Sequence, residues 1–170
     1  VTNTYVYNQA GLITSQTAES SGGGGFTTTT AYTNGGRTVT QTLPEGTTIV
    51  TDHYLDGSVK SLTGTAIVAE YHSATVNTGG TITQEVHVAT STDARWKKTT
   101  TDWAGRPIKE ESPAYSSGTF IREYFYNSVG QLTKTTETGR ADALVEYNAW
   151  QQPYRQGLNV DGTGGLSISS

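Results

Sequence analysis

The feature that most constrains this chain is a short turn that keeps returning. Tyr5-Val-Tyr-Asn-Gln-Ala-Gly-Leu-Ile-Thr, Thr101-Asp-Trp-Ala-Gly-Arg-Pro-Ile-Lys and Tyr124-Phe-Tyr-Asn-Ser-Val-Gly-Gln-Leu-Thr share one plan. A strand runs into Asn or Asp, two residues follow, then Gly, then a second strand. Weaker copies are Tyr32-Thr-Asn-Gly-Gly-Arg, Tyr54-Leu-Asp-Gly-Ser-Val-Lys with a shortened turn, and Tyr147-Asn-Ala-Trp-Gln-Gln-Pro, where Gln151 replaces the glycine. Counting a degenerate copy near Asn77-Thr-Gly-Gly, the turn glycines Gly11, Gly35, Gly57, Gly105 and Gly130 recur about every 22–25 residues, or about seven units in 170 residues.

One unit is a β-hairpin. Asn8, Asp56, Asp102, Asn127 or Asn148 opens the turn by bonding its own backbone, and the glycine accepts φ > 0 at little steric cost, as in a type I turn closed by a G1 bulge. A period near 23 residues holds two strands of six to eight residues and two turns, too little for a strand plus a helix and its loops. Tyr5 and Tyr7, or Tyr124 and Tyr126, lie two apart and share a face, while Val6 and Phe125 point to the other. The fold expected is all-β: tandem antiparallel hairpins of about 22–25 residues in a continuous twisted or spiral, solenoid-like sheet, spanning 1–170 as a single array. A Gly/Ser-rich loop is expected at 20–25 and a flexible Gly/Ser tail at 161–170.

Composition fits this plan better than a globule. Apolar residues make up 33% of the chain, against the ~45–50% usual for globular domains. The chain has 32 threonines and 10 tyrosines, which suit pleated, half-buried surfaces. There is no cysteine, hence no disulfide framework, thiolate metal site or cysteine nucleophile. A net charge of −4, with 11 Lys and Arg scattered along the chain, supplies no stripe for nucleic acid. The longest apolar run, Ala66-Ile67-Val68-Ala69, is far short of the ~20 residues of a helical membrane span. A start at Val1 without methionine fits either a processed protein or a piece of a longer chain.

The repeat resembles the Tyr-Asp repeat of the Rhs and YD-repeat family, whose consensus runs Tyr-x-Tyr-Asp-x-x-Gly-Arg-Leu-Thr. The residues that carry the resemblance are Tyr5, Tyr7, Asn8 and Gly11; Tyr54, Asp56 and Gly57; Asp102, Gly105, Arg106 and Pro107; Tyr124, Tyr126, Asn127, Gly130 and Leu132; and Tyr147 and Asn148. The match is best over 1–17 and 95–159. Asn8, Asn127 and Asn148 depart from the usual Asp, and Gln151 from the usual Gly, so the turn after Asn148 is expected to differ. The resemblance implies a ribbon of hairpins stacked edge to edge, which in large members winds into a shell around a toxic C-terminal domain. The chain lacks the Asp-Pro-x-x-Gly-Leu motif of self-cleaving members; Asp161-Gly-Thr-Gly-Gly-Leu is a faint echo.

Candidate chemistry is sparse. His53, His72 and His87 lack metal-ligand spacing and read as polar strand residues. Asp52-His53 beside Asp56 is an ionisable cluster without a positioned nucleophile. Glu110 and Glu111 are adjacent on a strand and point to opposite faces, so they cannot flank one glycosidic bond. Asp161-Gly-Thr-Gly-Gly offers one carboxylate where calcium loops use several. Trp96, Trp103 and Trp150 read first as packing residues and, as an alternative, as stacking platforms for sugars.

The functional expectation is therefore a non-catalytic structural scaffold, extracellular or at the cell surface, with no cofactor. Its partners are neighbouring repeats or identical subunits, with self-assembly into a filament through open strand edges. The alternatives are a shell segment of a toxin-encapsulating protein, implied by the resemblance alone, and a carbohydrate-binding adhesin.

Overall fold

The computed structural model describes residues 2–19, 22–160, 162, 164 and 166. They form strands and turns, with no helix beyond a single 3₁₀ turn at Asn34–Gly36. Fourteen strands follow one another in sheet order, each antiparallel wherever its ladder is resolved. The chain divides into two compact units, Val1–Ser73 with His87–Asp93, and Ala74–Val86 with Ala94–Ser170.

The first unit holds β1 (Thr2–Tyr7), β2 (Ile13–Glu19), β3 (Gly25–Thr33), β4 (Thr38–Thr42), β5 (Thr48–His53) and β6 (Val59–Thr63). It also takes the near ends of β7 (Glu70–Val76) and β8 (Ile82–Val88). The second unit takes the remainder of those two strands. To it belong β9 (Trp96–Thr101), β10 (Pro107–Pro113), β11 (Thr119–Tyr126), β12 (Leu132–Glu137), β13 (Asp142–Tyr147) and β14 (Pro153–Asn159). Of the expected 20–25 loop, Ser20 and Ser21 lie outside the described residues, and Gly25 already belongs to β3. Most of the expected 161–170 tail lies outside them too.

Neither unit encloses a core of the usual kind. Among the described residues only Leu144, 8% exposed, and Ser61, 6% exposed, are buried. The strands gain instead from lateral pairing. Threonine stands opposite threonine at Thr17↔Thr27, Thr29↔Thr42 and Thr42↔Thr48. The hydroxyls of Thr17 and Thr27 bond at 2.9 Å, and those of Thr83 and Thr100 at 3.0 Å. Each such pair contributes roughly 0.2–1 kcal/mol, so stability is a sum of neighbour terms. This is why a third of the chain being apolar is enough.

The register slips by one residue beside the turn in five hairpins, at Val6/Tyr7, Asp52/His53, Pro107/Lys109, Phe125/Tyr126 and Glu146/Tyr147. This is the expected bulge. It adds a residue on one side of the ladder and re-aims the side chain beside the turn.

Candidate functional site

The repeated turn is built by one rule. Its first residue donates its N–H to the carbonyl four residues on and accepts from the N–H three residues on. This holds at Asn8, Tyr54, Asn77, Asp102, Asn127 and Asn148, with bonds of 2.8–3.1 Å. At four of these turns the opening side chain adds two more. Asn8 Oδ1 accepts from Ala10 and Leu12, both at 2.9 Å, and Asp102 Oδ1 from Ala104 and Arg106, both at 2.9 Å. Asn127 Oδ1 accepts from Val129 at 3.1 Å and Gln131 at 2.9 Å, and Asn148 Oδ1 from Trp150 and Gln152, both at 3.0 Å. Asn and Asp are thus equivalent openers, since only one side-chain oxygen is needed.

Two expectations need correction here. The turn after Asn148 does not differ: Gln151 adopts φ 64° and keeps both backbone bonds. The Gln131 amide donates to the Gln151 carbonyl at 2.8 Å, which helps hold that strained residue. The turn at Tyr54 is not shortened. Tyr54 itself opens it, while Asp56 sits inside and binds the Ser58 N–H at 2.9 Å and its hydroxyl at 2.6 Å. Sequence reading also missed Leu43-Pro-Glu-Gly46, a turn with the same bonds that joins β4 to β5.

The repeat tyrosines join one hairpin to the one before it. Tyr126 Oη donates to the Pro107 carbonyl at 2.8 Å and Tyr147 Oη to the Leu132 carbonyl at 2.9 Å. Tyr32 Oη does the same to Ile13 at 3.0 Å, and the Thr101 hydroxyl reaches Ile82 at 3.5 Å. In each case the acceptor stands five residues after a turn opener, in the second strand of the preceding hairpin. His53 holds the equivalent place in its hairpin, its Nδ1 lying 3.0 Å from the Arg37 carbonyl. Tyr54 points the other way, donating to the His72 carbonyl at 2.9 Å. Tyr126, Pro107, Tyr147 and Leu132 all belong to the repeat motif, and nothing in the motif itself pairs them. The structure brings them into contact.

The most complete knot of motif residues lies in the second unit. Asp102 Oδ2 binds Arg106 Nε at 2.8 Å and Nη2 at 2.6 Å. The guanidinium lies over the Tyr126 ring, 4.7 Å from Cζ to centroid, a cation–π contact. It also passes so close to Gly130 that a Cβ there would come within 2.7 Å of Nη1. Arg106 therefore needs glycine in the next turn as well as Asp102 in its own. Its hydrogen bond holds the Asp102 carboxyl below the ordinary range. Burial raises the Tyr126 phenol, with Asp102 adding to the shift and Arg106 opposing it.

Tyr124 reaches a side chain of the preceding hairpin, where Tyr126 reaches its backbone. Its hydroxyl donates to Glu110 at 3.1 Å. Desolvation is the largest influence on Glu110 and pushes its carboxyl up, but Tyr124, Lys97 and Arg122 together outweigh it and the carboxyl lies low. Glu111 is 3.0 Å from Lys109, so the two adjacent carboxylates have separate partners. Tyr5 and Tyr7 stand exposed on β1. Trp103 and Trp150, 84% and 81% exposed, sit at turn tips, contrary to the packing expectation; Trp96 packs under Lys98, whose Nζ is 5.0 Å from the ring centroid.

A hollow of about 420 Å³ in the first unit is lined by Asp52, Tyr54, Ser61, Tyr71, His72 and His87 among others. Both Asp52 oxygens are engaged, by the Thr38 hydroxyl at 2.6 Å and the Ser61 hydroxyl at 3.3 Å. His87 Nδ1 lies 2.9 Å from the Asp93 carbonyl. His72 Nε2 is buried without a hydrogen bond, the Glu70 carboxylate being 3.6 Å away. Among the described residues no three His, Cys, Asp or Glu side chains gather as metal ligands. Asp161, Thr163 and Gly165 of the calcium-like stretch lie outside those residues. No helix among the described residues is long and apolar enough to cross a membrane.

No protein-family model matches the chain, and no curated protein matches it. Among solved structures it is similar to a porin-like protein from Bacteroides uniformis ATCC 8492, at 14% identity and a TM-score of 0.31, over 91% of this chain and 87% of that one. A likeness at that score carries no argument about function.

Proposed function

We propose that the chain is a non-catalytic structural scaffold of the Tyr-Asp repeat kind, working outside the cell or at its surface. One observation carries this reading: the motif's reactive-looking side chains are engaged by the sheet itself. Asp102 closes a turn and holds Arg106, Arg106 covers Tyr126, and Tyr126 ties its hairpin to the preceding one. A site evolved for chemistry would keep such groups convergent on open space; here they converge on one another. The test pairs unfolding with activity. Nearest-neighbour unfolding, in which stability falls by a similar step for each hairpin removed, supports the scaffold. Turnover of any hydrolase or glycosidase substrate that is abolished by Asp52→Asn or His72→Gln overturns it.

The exposure of Trp103 and Trp150 favours a second reading, binding of glycans by ring stacking. Tryptophan fluorescence quenched by a polysaccharide, and lost in a Trp103→Ala, Trp150→Ala double variant, is the expected sign. Silence across a broad glycan panel removes this reading.

A further inference from the structure

We propose that the hollow in the first unit is a binding site for a neutral saccharide, which Asp52 holds by its hydroxyls and tyrosine side chains by its ring. All residues of the hollow belong to the first unit, whereas Trp103 and Trp150 belong to the second. In five hairpins the residue two before the turn opener stands opposite the residue seven after it. In the hairpin opened by Asn127 these are Phe125 and Lys134, and Lys134 in turn faces Leu144. The Lys134 ammonium covers the Phe125 ring, 4.3 Å from its centroid. In the hairpin opened by Asn148 they are Glu146 and Arg155, an ion pair. In the hairpin opened by Tyr54 the same places hold Asp52 and Ser61, and Ser61 faces Tyr71. No cation lies within ion-pair distance of Asp52 among the described residues; its partners are the Thr38 and Ser61 hydroxyls. The fold therefore fills this row elsewhere with apolar groups or a compensated charge. A carboxylate that faces only hydroxyls is not needed to hold the hairpin.

The chemistry of the hollow selects hydroxyls. A carboxylate has about four lone-pair positions. Thr38 and Ser61 occupy two of those on Asp52, at 2.6 and 3.3 Å, and the others are left for donors of the same kind. The row opens on about 420 Å³, within the range of roughly 300–1,000 Å³ typical of small-molecule sites. Lys60 lines the same hollow, so the fixed charges there cancel and neither an anion nor a cation is favoured. Tyr54 and Tyr71 supply ring surface, and the hydroxyls of Tyr71, Ser73 and Ser91 have no partner among the described residues. A saccharide is the complement: several hydroxyls that both donate and accept, and an apolar ring face for an aromatic side chain. The walls are fixed in advance. Tyr54 Oη is bonded to the His72 carbonyl at 2.9 Å. The loop that carries Ser91 is held by the Ala89 N–H on the Ala69 carbonyl at 2.7 Å, with Ala89 at φ 74°. Such a conformation in a residue other than glycine persists only where its surroundings over-determine it, and it concentrates at binding sites.

The test is a titration of the whole isotope-labelled chain with glucose, galactose, mannose and N-acetylglucosamine, followed by nuclear magnetic resonance. At least one sugar should shift the amide signals of Asp52, Ser61 and Tyr71 saturably. Ser73→Trp sets an indole at an exposed position on the hollow and should weaken that binding at least about tenfold, with circular dichroism unchanged. Asp52→Phe combined with Ser61→Lys installs the pair that Phe125 and Lys134 already form, and should abolish binding while the chain stays folded. If that combination does not fold, Ser73→Trp decides alone. Trp103→Ala with Trp150→Ala should leave the binding unchanged. Silence from all four sugars at their highest workable concentration overturns the proposal, as does binding that survives Ser73→Trp. Binding that is lost in the tryptophan double variant and kept in Ser73→Trp assigns glycans to the exposed indoles and removes the hollow as a site. Choline or inorganic phosphate shifting the same three residues where the sugars do not overturns the assignment of a neutral ligand. Each of these outcomes leaves the scaffold reading to the unfolding experiment.

Discussion

Gly105 and Gly130 occupy the same place in equivalent turns, at φ 78° and 88°, so a methyl group added to either imposes a similar left-handed strain of about 1–2 kcal/mol. Their surroundings differ. A Cβ at Gly105 meets nothing within 4 Å, whereas one at Gly130 comes within 2.7 Å of Arg106 Nη1. The guanidinium ends a flexible side chain, so it moves and the backbone does not. In moving it leaves the Tyr126 ring, a contact worth roughly 0.5–1 kcal/mol at an exposed site, and loosens its hold on Asp102. Gly130→Ala should therefore destabilise the chain by about 0.5–1 kcal/mol more than Gly105→Ala. Urea titrations followed by circular dichroism give the comparison, provided the slopes agree. The same two substitutions in an Arg106→Ala background complete a double-mutant cycle, and there the excess should vanish. Equal costs in the unmodified background, or an excess that survives removal of Arg106, would refute the account of why arginine and glycine recur together in this repeat.

Three further outcomes are expected. Asn127→Ala deprives two backbone N–H groups of their acceptor and should cost about 1–2 kcal/mol in urea unfolding, while Asn127→Asp keeps the accepting oxygen and should stay within about 0.5 kcal/mol. Gly64→Ala places a Cβ 2.2 Å from the Thr48 carbonyl oxygen at φ 132°, where main chain must yield; a loss of about 3 kcal/mol, or failure to fold, is expected by thermal melting. The carboxyls of Asp102, through Arg106, and of Glu146, through the Tyr154 hydroxyl and then Arg155, are held below their ordinary values. Their contribution is complete above the ordinary carboxylate range near pH 4 and is lost as pH falls through the depressed values. Asp102→Asn should accordingly flatten the acid limb of a stability–pH curve. Tyr126 has the opposite sign: its phenol is raised by burial, so its contribution persists below about pH 10 and is lost above it.

How much of this could be read in advance followed from range. The Asn127 turn spans five consecutive residues and all its bonds lie within them, so an Asn, two residues and a Gly suffice to announce it. The same holds for Asn8 and Asp102, and for a threonine-rich all-β chain of hairpins. Local reading failed where two local signals competed. At Tyr54-Leu-Asp-Gly the better opener by chemistry is Asp56, but the bulge before His53 places Tyr54 at the opening position and leaves Asp56 to cap Ser58. At Gln151 the strain forecast from side-chain type was real, yet the turn kept its form, with the Gln131 amide from the neighbouring turn bonded to the Gln151 carbonyl.

Turn positions, strand content and the hairpin period were thus determined by the sequence alone, because each depends on the φ preferences and hydrogen-bonding reach of residues within one turn. Only the tertiary structure decided what the tyrosines and arginine of the motif are for. Tyr126 meets Pro107, and Arg106 meets Gly130, across a ladder between strands that are 19 and 24 residues apart in the chain. Which residues face each other there is set by the register of β10 against β11, where a shift of one position would send every side chain to the other face. No window of sequence shorter than two hairpins contains that information.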